Sequence, residues 1–546
     1  VEDRSRRREP AHGRHGMVAT SQPLAVQAGV EVLRAGGSAV DAALAANATL
    51  AVVEPMSCGP GGDVFALVWD ASARRLFGLN GSGRAPAGAT IAAFRDRRLA
   101  RIPLRGPLSW TVPGCVDGWF RLHERFGRLP WPALFETAIG AAEEGFSVTP
   151  VIAKMWQDAE PLLAADPGSA AAFLREGRAP RAGETIRNPD LASSLRQIAL
   201  DGPDAVYRGA IAHGLLACAE QVGAFLSADD LAAHASEWVE PMSLSFRGVD
   251  VWELPPNTQG VVVLEMLNIL SGYDLASLGP RSPDYLHLWI EAKKLAYENR
   301  ARWIGDPTGD AASDAGASVS GLVAPAHGAR QRERIDPHRA ALEAEPSAHP
   351  ARSCDTVYVT AVDRDRNACS LIQSVFHGFG SGVAPEGLGF VVQNRGSLFH
   401  LDPDHPNALR PGKRPFHTII PAMVTRNGRP LFSFGVMGGD MQPQGQVQIL
   451  VNLLVHGMNP QEAGDAPRVR HEGSSTPTGD AMHEGGVVHL EPAFGDEVAA
   501  ALRRRGHRVE TSDGGYGGYQ GIWIDEKAGA LLGGSESRKD GLALGY

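Results

Sequence analysis

Cys354-Asp355-Thr356-Val357-Tyr358-Val359-Thr360-Ala361-Val362-Asp363 is the stretch on which the reading of this chain turns. β-Branched and aromatic residues dominate it, so a β-strand is expected, with a turn over Asp363 to Asn367. A second strand, Ala368 to Val375, follows at hairpin distance. The chain before it is different in kind. From Pro307 to Arg352 it is rich in Ala, Ser, Gly, Pro and charge, with little periodicity, and reads as a flexible linker. A linker running into a buried strand headed by threonine suggests cleavage before Thr356, which would give that residue a free α-amine. Such an amine has a reference pKa of about 7.7–8.0 and sits within reach of its own hydroxyl, so one residue holds both nucleophile and base. The plain structural alternative is a threonine that caps a turn at the start of a strand.

The bulk composition narrows the class. The chain has 546 residues, 43% hydrophobic and 21% charged, which suits a large soluble core and by length allows three or four domains. A net charge of −10 argues against nucleic acid or an anionic membrane as a main partner. Apolar runs such as Ala42 to Val53 are too short to span a bilayer, and Gly260 to Leu270 is interrupted by Glu265. Five cysteines, an odd number with no C-x-x-C, make a disulfide framework unexpected and favour a reducing compartment. The charged stretch Val1 to Pro10 has no apolar signal segment, so a cytoplasmic location is expected.

Along the chain, Gly16 to Pro23 reads as a short strand and turn, and Ala25 to Arg34 as a helix stopped by Gly36-Gly37. Ala39 to Val53 reads as a strongly apolar helix, and Val64 to Trp69 as a strand. Helices are expected over 130–145, 150–163, 204–218, 227–234, 261–271 and 282–306. After Thr356 strands return, including Gly389 to Gly396, before helices over 446–456 and within 490–506. Strands thus gather at the front and after residue 356, with helices between.

Rival catalytic patterns fit poorly. No G-x-S-x-G elbow occurs, which argues against an α/β-hydrolase serine. His483-Glu484 and His489 miss the H-E-x-x-H spacing, so no zinc site is expected. Gly378-Phe379-Gly380-Ser381-Gly382 is followed by no Lys-Ser/Thr and is not a phosphate loop.

Several blocks carry a more specific signal. "GMVATSQPLA", "AGGSAVDAA" and "VEPMSCGPGGDVFALVWD" lie between Gly16 and Asp70. Pro411 to Pro421, Gly435-Val436-Met437-Gly438-Gly439-Asp440 and Ser537-Arg538-Lys539-Asp540-Gly541 follow in order. With the Thr356 strand, they make the chain resemble the γ-glutamyltransferase family of N-terminal-nucleophile hydrolases, from about Gly16 to Tyr546. The resemblance implies an α+β fold, a four-layer αββα sandwich. It implies autocatalytic cleavage between Asp355 and Thr356 into a large subunit, 1–355, and a small one, 356–546, folded as one unit. Thr356 would be the nucleophile, Ser374 its hydroxyl partner, and the N–H groups of Gly438 and Gly439 the oxyanion donors. No metal or organic cofactor is implied, and a homodimer of such heterodimers is one arrangement left open.

The departures from the family pattern are equally informative. Val357-Tyr358-Val359 stands where γ-glutamyltransferases have Thr-His-Tyr, Phe376 where they have Asn, and His417-Thr418 where they have two serines. Their Gln and Asp for the substrate ammonium map to Arg395 and Leu398, and the loop that carries their carboxylate-binding arginine has Ser82, with Arg84 two places later. The expectation is a self-processing amidohydrolase or acyltransferase closer to the divergent branch that includes oxamate amidohydrolase and cephalosporin acylase-like enzymes. Arg84, Arg395, His417 and Thr418 are the expected substrate contacts, for a small and anionic amide. Two other readings stay open: a true γ-glutamyltransferase acting on glutathione, and a degenerate homologue that binds a small metabolite without turnover.

Overall fold

The computed structural model describes residues 8–307, 319–342 and 356–546. Asp355, the expected acyl side of the cleavage, and Cys354 lie outside the described residues. Two seven-stranded antiparallel sheets form the centre. The first runs, edge to edge, Leu542–Gly545, Met17–Thr20, Val357–Val362, Ala368–Ser374, Asp63–Asp70, Arg75–Gly81 and Glu237–Val239. The second runs Ala11–Gly13, Ala530–Ser535, Gly518–Asp525, Arg429–Met437, Ala422–Arg426, Val249–Glu253 and Met242–Phe246. Each sheet thus interleaves strands from before and after Thr356.

The strand that follows Thr356 shows why the layers stack. Every residue of Val357–Val362 is buried. Val357, Val359 and Ala361 point into a core shared with the helices, while Tyr358 and Val362 point into the core between the sheets. This two-faced burial explains a nearly continuous apolar run instead of an alternating one. The sheets are also stitched by Thr360 Oγ1 to Ser433 Oγ at 2.7 Å. Gly435 lies beneath Tyr358, where an added Cβ would stand 2.5 Å from the ring. Its lack of a side chain is a packing requirement.

Helices cover both outer faces, completing the αββα order. Ala39–Val53 is buried along its whole length, so it shows no polar face. Ser38 and Asp41 form a capping box at its start. Gly260–Leu270, Pro283–Trp303 and Met441–Leu454 pack on the second sheet. Among the described residues no helix is long and apolar enough to cross a membrane. Cys58, Cys115, Cys218 and Cys369 are free thiols.

Four sequence expectations need correction. Strands also form in the middle of the chain, at Glu237–Val239, Met242–Phe246 and Val249–Glu253. They are half-exposed and short, so their apolar signal is weak. The stretch expected to be linker contains the helix Pro325–Glu333, anchored by His327 on Glu265 at 2.7 Å and by Arg332 on Asn268 O at 3.0 Å. Val391 and Val392 are buried in a loop that leads to the 3-10 turn Arg395–Leu398, not in a strand. The helix expected over 204–218 is interrupted, giving Asp204–Tyr207 and Ala210–Val222.

Candidate active site

Thr356 stands at the head of Val357–Val362, is 3% exposed, and lines a cavity of about 1180 Å³. Its Oγ1 donates to Ser374 Oγ at 3.3 Å, on the neighbouring antiparallel strand. Ser374 Oγ also accepts the Phe376 N–H at 2.8 Å. That second bond is made possible by Phe376 sitting at φ +84°, in the left-handed region that side chains avoid. Two hydroxyls and one strained amide therefore form a short chain at the cavity wall.

The expected substrate contacts separate into layers. Thr418 and Phe376 line the cavity, as does Leu398. Arg395 is fully buried, donates from Nη1 to Thr418 Oγ1 at 2.8 Å, and lies 4.3 Å from the centre of the Phe376 ring. Phe376 thus covers the guanidinium on the cavity side. His417 is also fully buried and faces Asp63, its Nε2 3.0 Å from Oδ2. Burial, then the nearby Arg395, pushes its pKa down to about 3 despite Asp63, so it is neutral near pH 7 and donates from Nε2. Asp63 Oδ1 accepts from Gly83 N at 2.9 Å, Gln393 Nε2 at 2.8 Å and Gly114 N at 3.2 Å. His417 thereby ties the loop before Thr418 to a hub that fixes three other loops. Arg84 lies outside this group: it pairs with Glu237 at 2.5 Å and donates to Gly412 O at 2.9 Å, and it does not line the cavity.

Gly438 and Gly439 follow the strand Arg429–Met437 and precede the helix Met441–Leu454. Their φ values are +117° and +58°. Their carbonyls accept from Met441 N at 3.0 Å and Gln442 N at 3.1 Å, while neither N–H has a partner among the described residues. Gly438 lines the same cavity as Thr356. Adjacent N–H groups in left-handed backbone at a helix start make a ready site for negative charge. The next residue, Asp440, is held by Arg300 at 2.6 Å, which also donates to Gln259 Oε1 at 2.7 Å. This pair, with Arg300 buried and Asp440 about a third exposed, was not singled out in the sequence.

One grouping among the described residues has metal-ligand chemistry: His287, Glu291 and His507. It does not line the cavity. The two imidazoles hydrogen-bond at 2.8 Å, and the Lys294 ammonium lies 2.9 Å from Glu291 Oε1, supplying the positive charge an ion would bring.

An αββα sandwich with a threonine heading a central strand is the architecture of N-terminal-nucleophile amide hydrolases. Residues 25–546 match the family model for gamma-glutamyltranspeptidase. The chain is 37% identical over 541 residues, 98% of its length and 99% of the relative's, to the glutathione hydrolase-like YwrD proenzyme of Bacillus subtilis. It is 35% identical over 546 residues, 97% of its length and 98% of the relative's, to the oxamate amidohydrolase proenzyme of Klebsiella pneumoniae. The solved structure of a cephalosporin acylase from Bacillus halodurans matches with TM-score 0.91 and 42% identity, covering 100% of this chain and 98% of that one. The chain belongs to the gamma-glutamyltranspeptidase family.

Proposed function

We propose that the chain is a precursor that cuts itself before Thr356 and then hydrolyses a small amide through an acyl-Thr356 ester, with an amine as an alternative acceptor to water. The observation that carries this reading is that Thr356, hydrogen-bonded to Ser374, lines one cavity with Gly438, whose N–H has no partner among the described residues. In maturation, Thr356 Oγ1 attacks the Asp355 carbonyl, the C–N bond breaks as the ester forms, and water opens the ester. The products are an Asp355 carboxylate, ending subunit 1–355, and a free α-amine heading subunit 356–546. In turnover, that amine takes the hydroxyl proton as Oγ1 attacks the substrate carbonyl. The Gly438 and Gly439 N–H groups receive the developing oxyanion, and the proton passes to the leaving amine. Water then repeats the attack on the ester.

Leu398 on the cavity wall supports a substrate without a neighbouring ammonium, because it offers no carboxylate to pair with one. The named relatives include an oxamate amidohydrolase and a cephalosporin acylase beside the glutathione hydrolase-like YwrD proenzyme, which supports an amide other than a γ-glutamyl compound as one substrate of this family's site. A denaturing gel tests the maturation step. Wild-type protein should give bands of about 37 and 20 kDa, by ordinary residue mass, and Thr356→Ala one full-length band. Two bands from the Thr356→Ala protein would remove the threonine from the mechanism.

A further inference from the structure

Gln259 is fully buried and stands at the head of the helix Gly260–Leu270. Polar side chains in that place commonly bond the first free N–H groups of the helix. Gln259 does not: only its main-chain carbonyl serves the helix, accepting from Val262 N at 3.0 Å. Its side chain makes three other bonds. Nε2 donates to Thr418 O at 2.6 Å and to Gly439 O at 3.1 Å, and Oε1 accepts from Arg300 Nη1 at 2.7 Å. A guanidinium can only donate and a main-chain carbonyl can only accept, so the amide has one possible orientation.

These bonds meet at the junction that carries the proposed oxyanion donors. Gly438 and Gly439 have no side chains to hold them, and glycine backbone is the freest to turn. The junction is fixed instead through its carbonyls. Gly438 O accepts from Met441 N, in the helix that follows. Gly439 O accepts from Gln442 N in the same helix and from Gln259 Nε2, a residue distant in sequence. Asp440 O accepts from the Tyr297 hydroxyl and from Gln444 Nε2, and its carboxylate from Arg300. Arg300 Nη1 thus serves Gln259 and Asp440 together, with its guanidinium 3.9 Å from the centre of the Tyr297 ring. The Gln259 amide is also the one partner of Thr418 O among the described residues, and Thr418 lines the cavity with Thr356. Gln259, Tyr297 and Arg300 precede Thr356 in the chain, while Thr418 and Gly438 to Asp440 follow it.

We propose that Gln259 is the positioning residue of the oxyanion junction: one buried amide, oriented by Arg300, holds the Gly439 peptide in place against the Thr418 segment and so keeps the glycine N–H groups aimed. The inference rests on the reading of Gly438 and Gly439 as oxyanion donors. Gln259 does not itself line the cavity, so it acts only through the two carbonyls it binds. Donors held in advance need no reorganisation when charge develops, whereas a loose glycine pair would have to be ordered at that moment. The part of the chain before Thr356 thereby takes a share in the chemistry. After cleavage the large subunit would orient the donors, and the small subunit would supply them together with the nucleophile.

The test compares processed wild-type, Gln259→Met and Gln259→Asn proteins, with kcat counted per free Thr356 amine. Hydrolysis is followed as ammonia released from oxamate and as p-nitroaniline released from acyl anilides. Phenylboronic acid, followed by boron NMR, reports oxyanion binding apart from turnover. Its boron takes Thr356 Oγ1 as a fourth ligand, the hydroxyl proton passes to the α-amine, and the boron becomes negative. Gln259→Met keeps the length of the side chain and loses all three bonds. It should lower kcat by roughly ten- to a hundredfold, leave KM within about twofold, and weaken the boronate adduct by the same factor as kcat. Gln259→Asn keeps the amide but is one carbon too short to reach both carbonyls, so it should fall between, and it carries the test where Gln259→Met is not processed. A purely structural glutamine would lower the folded or processed fraction and leave kcat per site and boronate affinity unchanged, and that result would overturn the proposal. So would a rise in KM at constant kcat. Wild-type protein that gives neither product nor adduct would instead overturn the amide-hydrolase reading, and the inference with it.

Discussion

Phe376 occupies a backbone conformation that costs a side-chain-bearing residue about 1–3 kcal/mol. At φ +84° it aims its N–H at Ser374 Oγ, and its ring, 4% exposed, lies against the Arg395 guanidinium. Strain at this position and the orientation of the Ser374 hydroxyl are thus linked through one residue. Two predictions follow at this scale. Phe376→Gly and Phe376→Ala lose the same ring, but only glycine fits the backbone, so the glycine variant should unfold at the higher temperature. The difference should be about 1 kcal/mol, and the ordinary order, alanine above glycine, would refute strain at this site. Ser374→Ala should lower kcat about ten- to a hundredfold with KM within twofold, since the hydroxyl bonds Thr356 and Ser374 does not line the cavity. A change in KM alone would assign Ser374 to binding.

At the scale of elements, the decisive junction is the one between the strand Arg429–Met437 and the helix Met441–Leu454. A Cβ on Gly438 would meet Gly517 Cα at 3.1 Å, and its φ of +117° is closed to other residues. Gly438→Ala should therefore move the N–H and lower kcat by about 100- to 1000-fold with little change in KM. An unchanged kcat would mean that the oxyanion is held elsewhere. Only the family resemblance pointed to this junction, since a glycine pair alone also reads as a simple turn, and the helix expected over 446–456 begins at Met441. Ala39–Val53 was legible because a segment rich in Ala and Leu strongly favours a helix. The strands between Glu237 and Glu253 were not, because edge strands with half-exposed side chains, such as Met242–Phe246, look like loop. Arg84 and His417 show the limit for side chains. The family resemblance placed both near the substrate, but Glu237 and Asp63, distant in sequence, decide where they point.

For the whole molecule, the buried histidines set the response to acid. His417 titrates near 3 and His405 near 4, both pushed down first by burial. Arg395 adds to the first shift and His400 to the second. The unfolded chain takes up these protons from about pH 6.5 downward, while the native state takes them up only near pH 3 to 4. Stability supplied by keeping them neutral is therefore complete above pH 6.5 and falls as the pH drops toward 4. Thermal unfolding of the processed protein should shift steadily downward over that window. A transition temperature independent of pH from 7 to 4.5 would contradict the burial of neutral imidazoles.

The proposed mechanism depends on the head of the central strand being a chain terminus. Acid-quenched turnover followed by peptide mass spectrometry tests this most directly. The account predicts a small fragment beginning at Thr356, carrying the substrate's acyl group on that residue. An intact Asp355–Thr356 bond in active protein, or an acyl group on another side chain, would contradict it.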